Sequence, residues 1–207
     1  MRDLLDGNPV IPVITIEQVA DALPLAEALV AGGIKVLEVT LRTDVAVDGI
    51  REIIRHVPEA IVGTGTVLSE EQMKLSEDLG CKFMISPGIT EQLLSLSQNS
   101  SVPFLPGISS VSELMIGMQY GLQNFKFFPA EVSGGVPALK AMAGPFAGVK
   151  FCPTGGIGLH NALDYLALPN VMAVGGSWIA DQKLIRDKRW DEIERLARNA
   201  VELSAAK

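Results

Sequence analysis

The sequence predicts an α/β fold, because short apolar strands alternate with amphipathic helices along its length. Eight strand–helix units follow one another, spaced by about 25 residues. Eight parallel strands are the number that closes a barrel, so we expect a (β/α)8 TIM barrel rather than an open doubly wound sheet. The chain has 207 residues and no linker or low-complexity tract, which predicts one domain over 1–207 with tight loops.

The predicted strands are short apolar segments that end at glycine, proline or polar residues. They comprise residues 10–14, 36–40, 61–66, 83–86, 102–105, 125–128, 150–153 and 171–174. Pro106-Gly107 reads as the turn after the fifth strand, and Gly175-Gly176 as the turn after the eighth.

The predicted helices combine apolar residues at helical spacing with polar caps and glycine stops. Ser69 and Thr90 are expected N-caps, and Gly32-Gly33, Gly80 and Gly121 are expected stops. The helices comprise residues 17–31, 45–57, 69–79, 90–97, 110–120, 136–142, 159–168 and 190–204, with 181–189 an irregular charged approach to the last one.

The overall composition narrows the class of protein. Hydrophobic residues make up 48% of the chain and the formal charge is −7, which suits one domain with a sizeable core. An acidic balance without a basic patch argues against nucleic acid as a partner. No apolar run reaches the about 20 residues of a membrane helix, and residues 1–6 do not resemble a signal peptide, so we expect a cytoplasmic protein.

The few potential metal ligands show no ligand spacing. Cys81 and Cys152 are far apart, which favours two structural thiols over a disulfide or a metal site. His56 belongs to a charged helix end and His160 to a helix start. We therefore expect no metal and no cofactor.

Polar residues collect at the carboxyl ends of several predicted strands, where barrels of this type hold their active sites. Glu38 and Arg42 share the inward parity of the second strand, and Thr66 and Thr154 end the third and seventh. Lys126 takes the inward parity of a phenylalanine-rich strand. Taken singly, these could be a rim ion pair, strand-end hydroxyls and a lysine that reaches water. Their convergence on one mouth favours a function.

An amine among apolar residues and beside a carboxylate suggests imine chemistry with a carbonyl substrate. Lys126 would form the imine, and Glu38 would move the protons. The segments 153–157 and 174–178 follow the seventh and eighth strands, where such barrels bind phosphate through glycine N–H groups.

Several motifs resemble the bacterial 2-keto-3-deoxy-6-phosphogluconate (KDPG) aldolase and 4-hydroxy-2-oxoglutarate (KHG) aldolase family. The resemblance covers residues 10–178 and rests on segments 38–43, 63–68, 85–88, 125–131, 151–157 and 175–178. It implies a homotrimeric, metal-independent class I aldolase of the Entner–Doudoroff pathway. Such an enzyme splits KDPG into pyruvate and glyceraldehyde 3-phosphate, and 4-hydroxy-2-oxoglutarate into pyruvate and glyoxylate.

The resemblance also implies roles for residues of this chain. Lys126 would be the Schiff-base lysine and Glu38 the general acid and base. The substrate-binding residues would be Arg42 and Thr66 at the pyruvyl carboxylate, Pro87 lining that end, Thr154 at the hydroxyls of the aldehyde portion, and Gly155, Gly156, Gly176 and Ser177 at the phosphate.

Two alternatives remain at this point. A metal-dependent lyase or sugar-phosphate epimerase on the same barrel would need an acidic or histidine cluster, which the strand ends do not offer. A non-catalytic phosphosugar-binding barrel would keep the glycine loops but would not need an inward lysine–glutamate pair. The sequence does not rank the two substrates, because one pyruvyl end serves both.

Overall fold

Nine short strands alternate with helices in the part of the chain that the computed structural model describes, residues 1–5 and 7–205. Asp6, Ala206 and Lys207 belong to the predicted 1–207 domain but lie outside the described residues. The strands are β1 Val10–Ile14, β2 Val36–Thr40, β3 Ile61–Gly65, β4 Met84–Ile85, β5 Phe104–Leu105, β6 Gly107–Ile108, β7 Asn124–Phe127, β8 Lys150–Pro153 and β9 Val174–Gly176.

The helices follow the strands in sequence, after one short helix that precedes β1. They are α1 Arg2–Leu5, α2 Val19–Ala31, α3 Ala46–His56, α4 Glu70–Asp78, α5 Glu91–Ser97, α6 Val111–Gln119, α7 Gly135–Ala143, α8 Ala162–Leu166, α9 Gln182–Arg186 and α10 Trp190–Ala205. Within the described residues, no helix has both the length and the apolar character needed to cross a membrane.

The strands form two curled parallel sheets. The larger has the order β5–β4–β3–β2–β1–β9 and the smaller β6–β7–β8, and all named strand pairs are parallel. β5 and β6 are separated only by Pro106, so one chain segment serves both sheets. On the other side, isolated bridges join Phe151 to Val171 and Thr154 to Gly175. The α/β class predicted from the sequence is confirmed.

Two predicted turns are wrong, because Gly107 and the Gly175-Gly176 pair belong to strands. Gly107 pairs with Lys126 of β7, although the Pro106-Gly107 sequence is typical of a turn. Gly175 and Gly176 pair with β1, so the last strand extends over the residues predicted to end it. Glycine fits here because a side chain at Gly175 would contact Thr154 Cγ2 at 3.1 Å.

Helix boundaries agree with the predicted caps in most places. Ser69 accepts a hydrogen bond from the Gln72 amide, and Thr90 accepts one from the Leu93 amide. The segment 181–189 is not wholly irregular, since Asp181 accepts hydrogen bonds from two backbone amides and begins α9. The short α1 was not predicted at all.

The core has two layers, an outer one between the strands and the helices and an inner one on the opposite face of the strands, to which Leu5 of α1 also belongs. Phe125 belongs to the outer layer, since its ring lies 2.9 Å from where a Gly117 side chain would begin on α6. The inner layer includes Phe83 and Val36, which shares one face of β2 with Glu38. The inner layer thus forms an apolar floor next to Glu38.

Candidate active site

Lys126 and Glu38 form a buried ion pair between the two sheets. Lys126 Nζ on β7 donates a hydrogen bond to Glu38 Oε1 on β2 over 3.1 Å, and the two side chains are 4% and 2% exposed. Burying either charge alone would cost several kcal/mol, about 3–5 when one partner of such a pair is removed. Formation of the pair therefore requires β2 and β7 to be held at fixed positions relative to each other.

Aromatic rings and the strand parity fix the direction of the lysine. Phe125 and Phe127 are buried in the outer layer, while the Lys126 amine lies on the opposite face, 5.4 Å from the Phe128 ring centroid. The alternation predicted for this strand is confirmed. The amine is thus enclosed by the sheets and faces the carboxylate.

The position of Glu38 depends on a glycine in the neighbouring strand. A side chain at Gly65 would begin 2.7 Å from Glu38 Cγ and 2.9 Å from Cδ, closer than ordinary van der Waals contact. Only the absence of a side chain leaves room for the carboxylate at this place. Gly65 is thus part of the site, although the sequence analysis assigned it no role.

Arg42 and Thr66 form a second polar group at the ends of β2 and β3. Arg42 Nε donates to Thr66 Oγ1 over 2.9 Å. Thr66 has a φ of 58°, a left-handed conformation that is rare for a β-branched residue and costs of the order of 1–3 kcal/mol. The simple rim ion pair between Arg42 and Glu38 considered above is wrong, because the carboxylate pairs with Lys126 instead.

Pro87 and Thr154 lie at other strand ends. Pro87 follows β4 in a turn in which Ser86 Oγ donates to the Gly88 carbonyl over 2.7 Å. Thr154 directly follows β8 and is buried. Within the described residues, its hydroxyl makes no hydrogen bond of normal geometry. The Cys152 thiol lies near it and is only a weak partner.

The four residues predicted at the phosphate occupy two different settings. Gly155 and Gly156 form a turn after β8 with φ values of 101° and 76°, a conformation that favours glycine. Gly176 lies within β9 and is covered by the Trp178 ring, so its predicted place in a loop is wrong. Ser177 is exposed just beyond it. The Thr154–Gly175 bridge brings both segments together.

Cys152 lies next to the ion pair, which the sequence analysis did not predict. It pairs in register with Lys126, and its thiol is free and buried. Burial raises the pKa of the Cys152 thiol to about 12, against a smaller lowering by the Lys126 charge. The thiol is therefore protonated at neutral pH, so it is not a competing nucleophile.

A metal centre has no evident donor set in this part of the protein. Within residues 1–5 and 7–205, no three His, Cys, Asp or Glu side chains converge so that they could hold a metal ion. The strand ends instead hold an amine paired with a carboxylate, a guanidinium bonded to a hydroxyl, and a glycine turn. This combination can form an imine, move protons and bind anions.

Known proteins resemble this chain over nearly its whole length. Residues 1–196 match the family model described as KDPG and KHG aldolase. The KHG/KDPG aldolase of Escherichia coli K12 is 55% identical over 201 residues, which cover 97% of this chain and 94% of that protein. The 2-dehydro-3-deoxy-phosphogluconate aldolase of Dickeya dadantii is 54% identical over 200 residues, with 97% and 94% covered.

A solved structure agrees with the sequence relatives. The crystal structure of a KDPG aldolase from Legionella pneumophila, with pyruvate captured at low pH as a covalent carbinolamine intermediate, has a TM-score of 0.94. That protein is 50% identical, and the match covers 96% of this chain and 97% of the other. The chain belongs to the KDPG and KHG aldolase family.

Proposed function

We propose that this chain is a class I aldolase that cleaves KDPG into pyruvate and glyceraldehyde 3-phosphate. The observation that carries the proposal is the buried contact of 3.1 Å between Lys126 Nζ and Glu38 Oε1. An amine and a carboxylate so enclosed provide a nucleophile and a proton carrier in one site. The names of the relatives support the substrate, and the covalent pyruvate adduct of the Legionella protein supports the intermediate.

The first half of the reaction forms the imine. The Lys126 amine, after giving its proton to Glu38, attacks the C2 carbonyl of the keto acid and forms a carbinolamine. Glu38 then returns a proton to the C2 hydroxyl, which leaves as water, so that a protonated imine remains on Lys126. The separation of 3.1 Å lets one carboxylate serve each of these transfers.

The second half breaks the carbon–carbon bond. The imine accepts the electron pair of the C3–C4 bond while Glu38 takes the C4 hydroxyl proton, which gives an enamine on Lys126 and the free aldehyde. Glu38 then donates this proton to C3 of the enamine. Water adds to the resulting imine, and pyruvate leaves as the amine is restored.

The remaining groups would bind the two ends of the substrate. Arg42 and Thr66 suit the pyruvyl carboxylate, because a guanidinium binds carboxylates through paired hydrogen bonds. Pro87 would line that end, and the buried Thr154 hydroxyl would bond to the hydroxyls of the aldehyde portion. We assign the phosphate to the backbone amides of Gly155, Gly156 and Gly176 and to the exposed hydroxyl of Ser177. The first two residues follow β8, and the other two lie at the end of β9 and just beyond it.

A second substrate, 4-hydroxy-2-oxoglutarate, has specific support. The Escherichia coli relative is named for both activities, and the pyruvyl end of the two substrates is the same. Cleavage would yield pyruvate and glyoxylate by the same steps. This substrate lacks the phosphate, so it would use only Lys126, Glu38, Arg42, Thr66 and their neighbours.

We further propose that residues 1–207 form a single closed (β/α)8 barrel. β5 and β6, which only Pro106 separates, would count as one strand of the barrel. The bridges from Phe151 and Thr154 would close the barrel between β8 and β9. The homotrimer implied by the family resemblance and the cytoplasmic location expected from the sequence are part of the same proposal. Two free buried thiols suit a reducing compartment.

The test of the mechanism is reductive trapping. Treatment with borohydride in the presence of pyruvate should inactivate the protein and add one reduced pyruvyl group to Lys126, as located by peptide mass spectrometry. Lys126→Ala should lose both trapping and cleavage, while Lys140→Ala, at an exposed site on α7, should keep both. Full turnover of KDPG with no mass added under borohydride would exclude the imine mechanism.

A further inference from the structure

One buried polar contact near the glycine turn has no part in the mechanism above. The Tyr165 hydroxyl on α8 donates a hydrogen bond to the Glu131 carboxylate, which follows β7. Tyr165 is fully buried, whereas Glu131 is exposed. Burial and the neighbouring carboxylate both raise the pKa of Tyr165, so the hydroxyl remains a donor throughout the neutral range.

The backbone of the segment after β7 is fastened to the turn after β8. The Ala130 amide donates to the Thr154 carbonyl over 2.8 Å, and the Glu131 amide donates to the Gly155 carbonyl over 3.2 Å. A side chain at Gly155 would begin 3.2 Å from Pro129 Cα. The strand that bears Lys126 thus continues directly into a segment that touches the glycine turn.

The Glu131 side chain lies against the second glycine of this turn. A side chain at Gly156 would begin 2.5 Å from Glu131 Cγ and 2.8 Å from Cβ, so Glu131 occupies the space that any other residue at 156 would need. On the other side, Asn161 Nδ2 donates to the Gly156 carbonyl over 3.1 Å. The turn is therefore held between Glu131 and Asn161.

The simplest explanation of the contact is that Glu131 satisfies a buried phenol, as tyrosines in cores require. That explanation does not account for the placement of an anionic residue beside amides proposed to bind an anion. A carboxylate so placed opposes phosphate unless its charge is directed elsewhere. The bond from Tyr165 turns the carboxylate towards α8 and fixes the Glu131 stem against the turn.

We propose that Glu131 and Tyr165 are positioning residues that hold the Gly155–Gly156 turn in the conformation that binds the substrate phosphate. The proposal rests on the proposed function, and it assigns to this pair the preference for the phosphorylated substrate over 4-hydroxy-2-oxoglutarate. Neither residue touches the reacting atoms. Their loss acts on the binding of KDPG and leaves imine formation at Lys126 intact.

The test compares Tyr165→Phe with Tyr120→Phe, the same change at the C-terminal end of α6. In Tyr165→Phe, we expect KM for KDPG to rise about tenfold, with kcat within about twofold, because a slightly misplaced binding group weakens binding. The inhibition constant of inorganic phosphate should rise by a similar factor. Kinetics with 4-hydroxy-2-oxoglutarate, and borohydride trapping with pyruvate, should match the wild type, as should every parameter of Tyr120→Phe.

Glu131→Ala provides a second variant at an exposed position, in case Tyr165→Phe unfolds. It should raise KM for KDPG in the same direction and leave the unphosphorylated substrate unaffected. An equal loss on both substrates, or unchanged KDPG kinetics in a folded variant, would overturn the proposal. If the wild-type protein forms no imine with pyruvate, the proposed function itself fails. That result comes from the wild type alone, so it is distinct from a failure of the proposal about Glu131 and Tyr165.

Discussion

Replacing Gly65 with alanine tests whether the position of the Glu38 carboxylate governs the chemistry. The new methyl group would lie 2.7 Å from Glu38 Cγ, whereas ordinary contact begins at 3.4 Å, so the side chain must move by at least 0.7 Å. The bond to Lys126 is 3.1 Å long, and a shift of this size is enough to break it. The side chain is flexible at this end, so it moves more easily than the backbone does.

Misplacement of a catalytic group by about 1 Å costs about a hundredfold in rate, or about 2.7 kcal/mol. We therefore expect Gly65→Ala to lower kcat by that order for both substrates in a coupled assay for released pyruvate. Its loss in free energy of unfolding should stay within about 1–3 kcal/mol, the usual cost of overpacking. Borohydride trapping with pyruvate should slow in parallel, because proton transfer also serves imine formation.

Gly63→Ala is the matched control, on the same strand and with the same added methyl group. There the methyl would begin 2.5 Å from Cγ of the buried Phe83 ring, and its nearest neighbours are atoms of that ring rather than of Glu38. This variant should be destabilised at least as much as Gly65→Ala but keep kcat within about threefold. Wild-type activity in Gly65→Ala, or activity losses that follow unfolding free energy in both variants, would refute the reasoning.

Two further predictions concern the carboxylate site and the thiols. Arg42→Lys keeps the charge but loses the planar guanidinium that bonds to Thr66. The pyruvate concentration for half-maximal borohydride inactivation should therefore rise about tenfold, while Lys126 remains the trapped residue. An unchanged concentration would show that Arg42 does not bind the carboxylate. Burial raises the pKa of Cys81 and of Cys152 to about 12, so their contribution to stability is present below the unfolded value near 9.0 and is lost as pH rises towards 12. In urea unfolding between pH 9 and 12, the free energy of unfolding should fall by up to about 1.4 kcal/mol per pH unit for each thiol. Cys81→Ala should make this fall less steep, and an identical pH slope in that variant would contradict the assignment.

Local patterns in the sequence predicted much of the fold and part of the site. The caps at Ser69 and Thr90 were predicted because a hydroxyl before an apolar-periodic run is a local signal. The inward direction of Lys126 followed from strand alternation alone. The predicted helix 159–168 is shorter in the structure, since the Asn161 side chain is engaged with the preceding turn instead.

The remaining features depend on partners distant in sequence. Gly107 is a strand residue only because β7 lies beside it, and a Pro-Gly pair gives no local sign of that. The contact between Tyr165 and Glu131 spans 34 residues, and no spacing rule joins them. Cys152 adjoins the lysine through the register of two strands, which the sequence pattern does not set.

Glu38 belongs to the six-stranded sheet and Lys126 to the three-stranded sheet, and the two residues are 88 positions apart in the sequence. A state in which only one sheet has formed holds a single ion facing an apolar interior, and that ion must stay hydrated or lose its charge. The buried Lys126–Glu38 pair therefore stabilises the association of the two sheets. Trapping of pyruvate on Lys126 would therefore report imine formation and also the correct assembly of the two sheets.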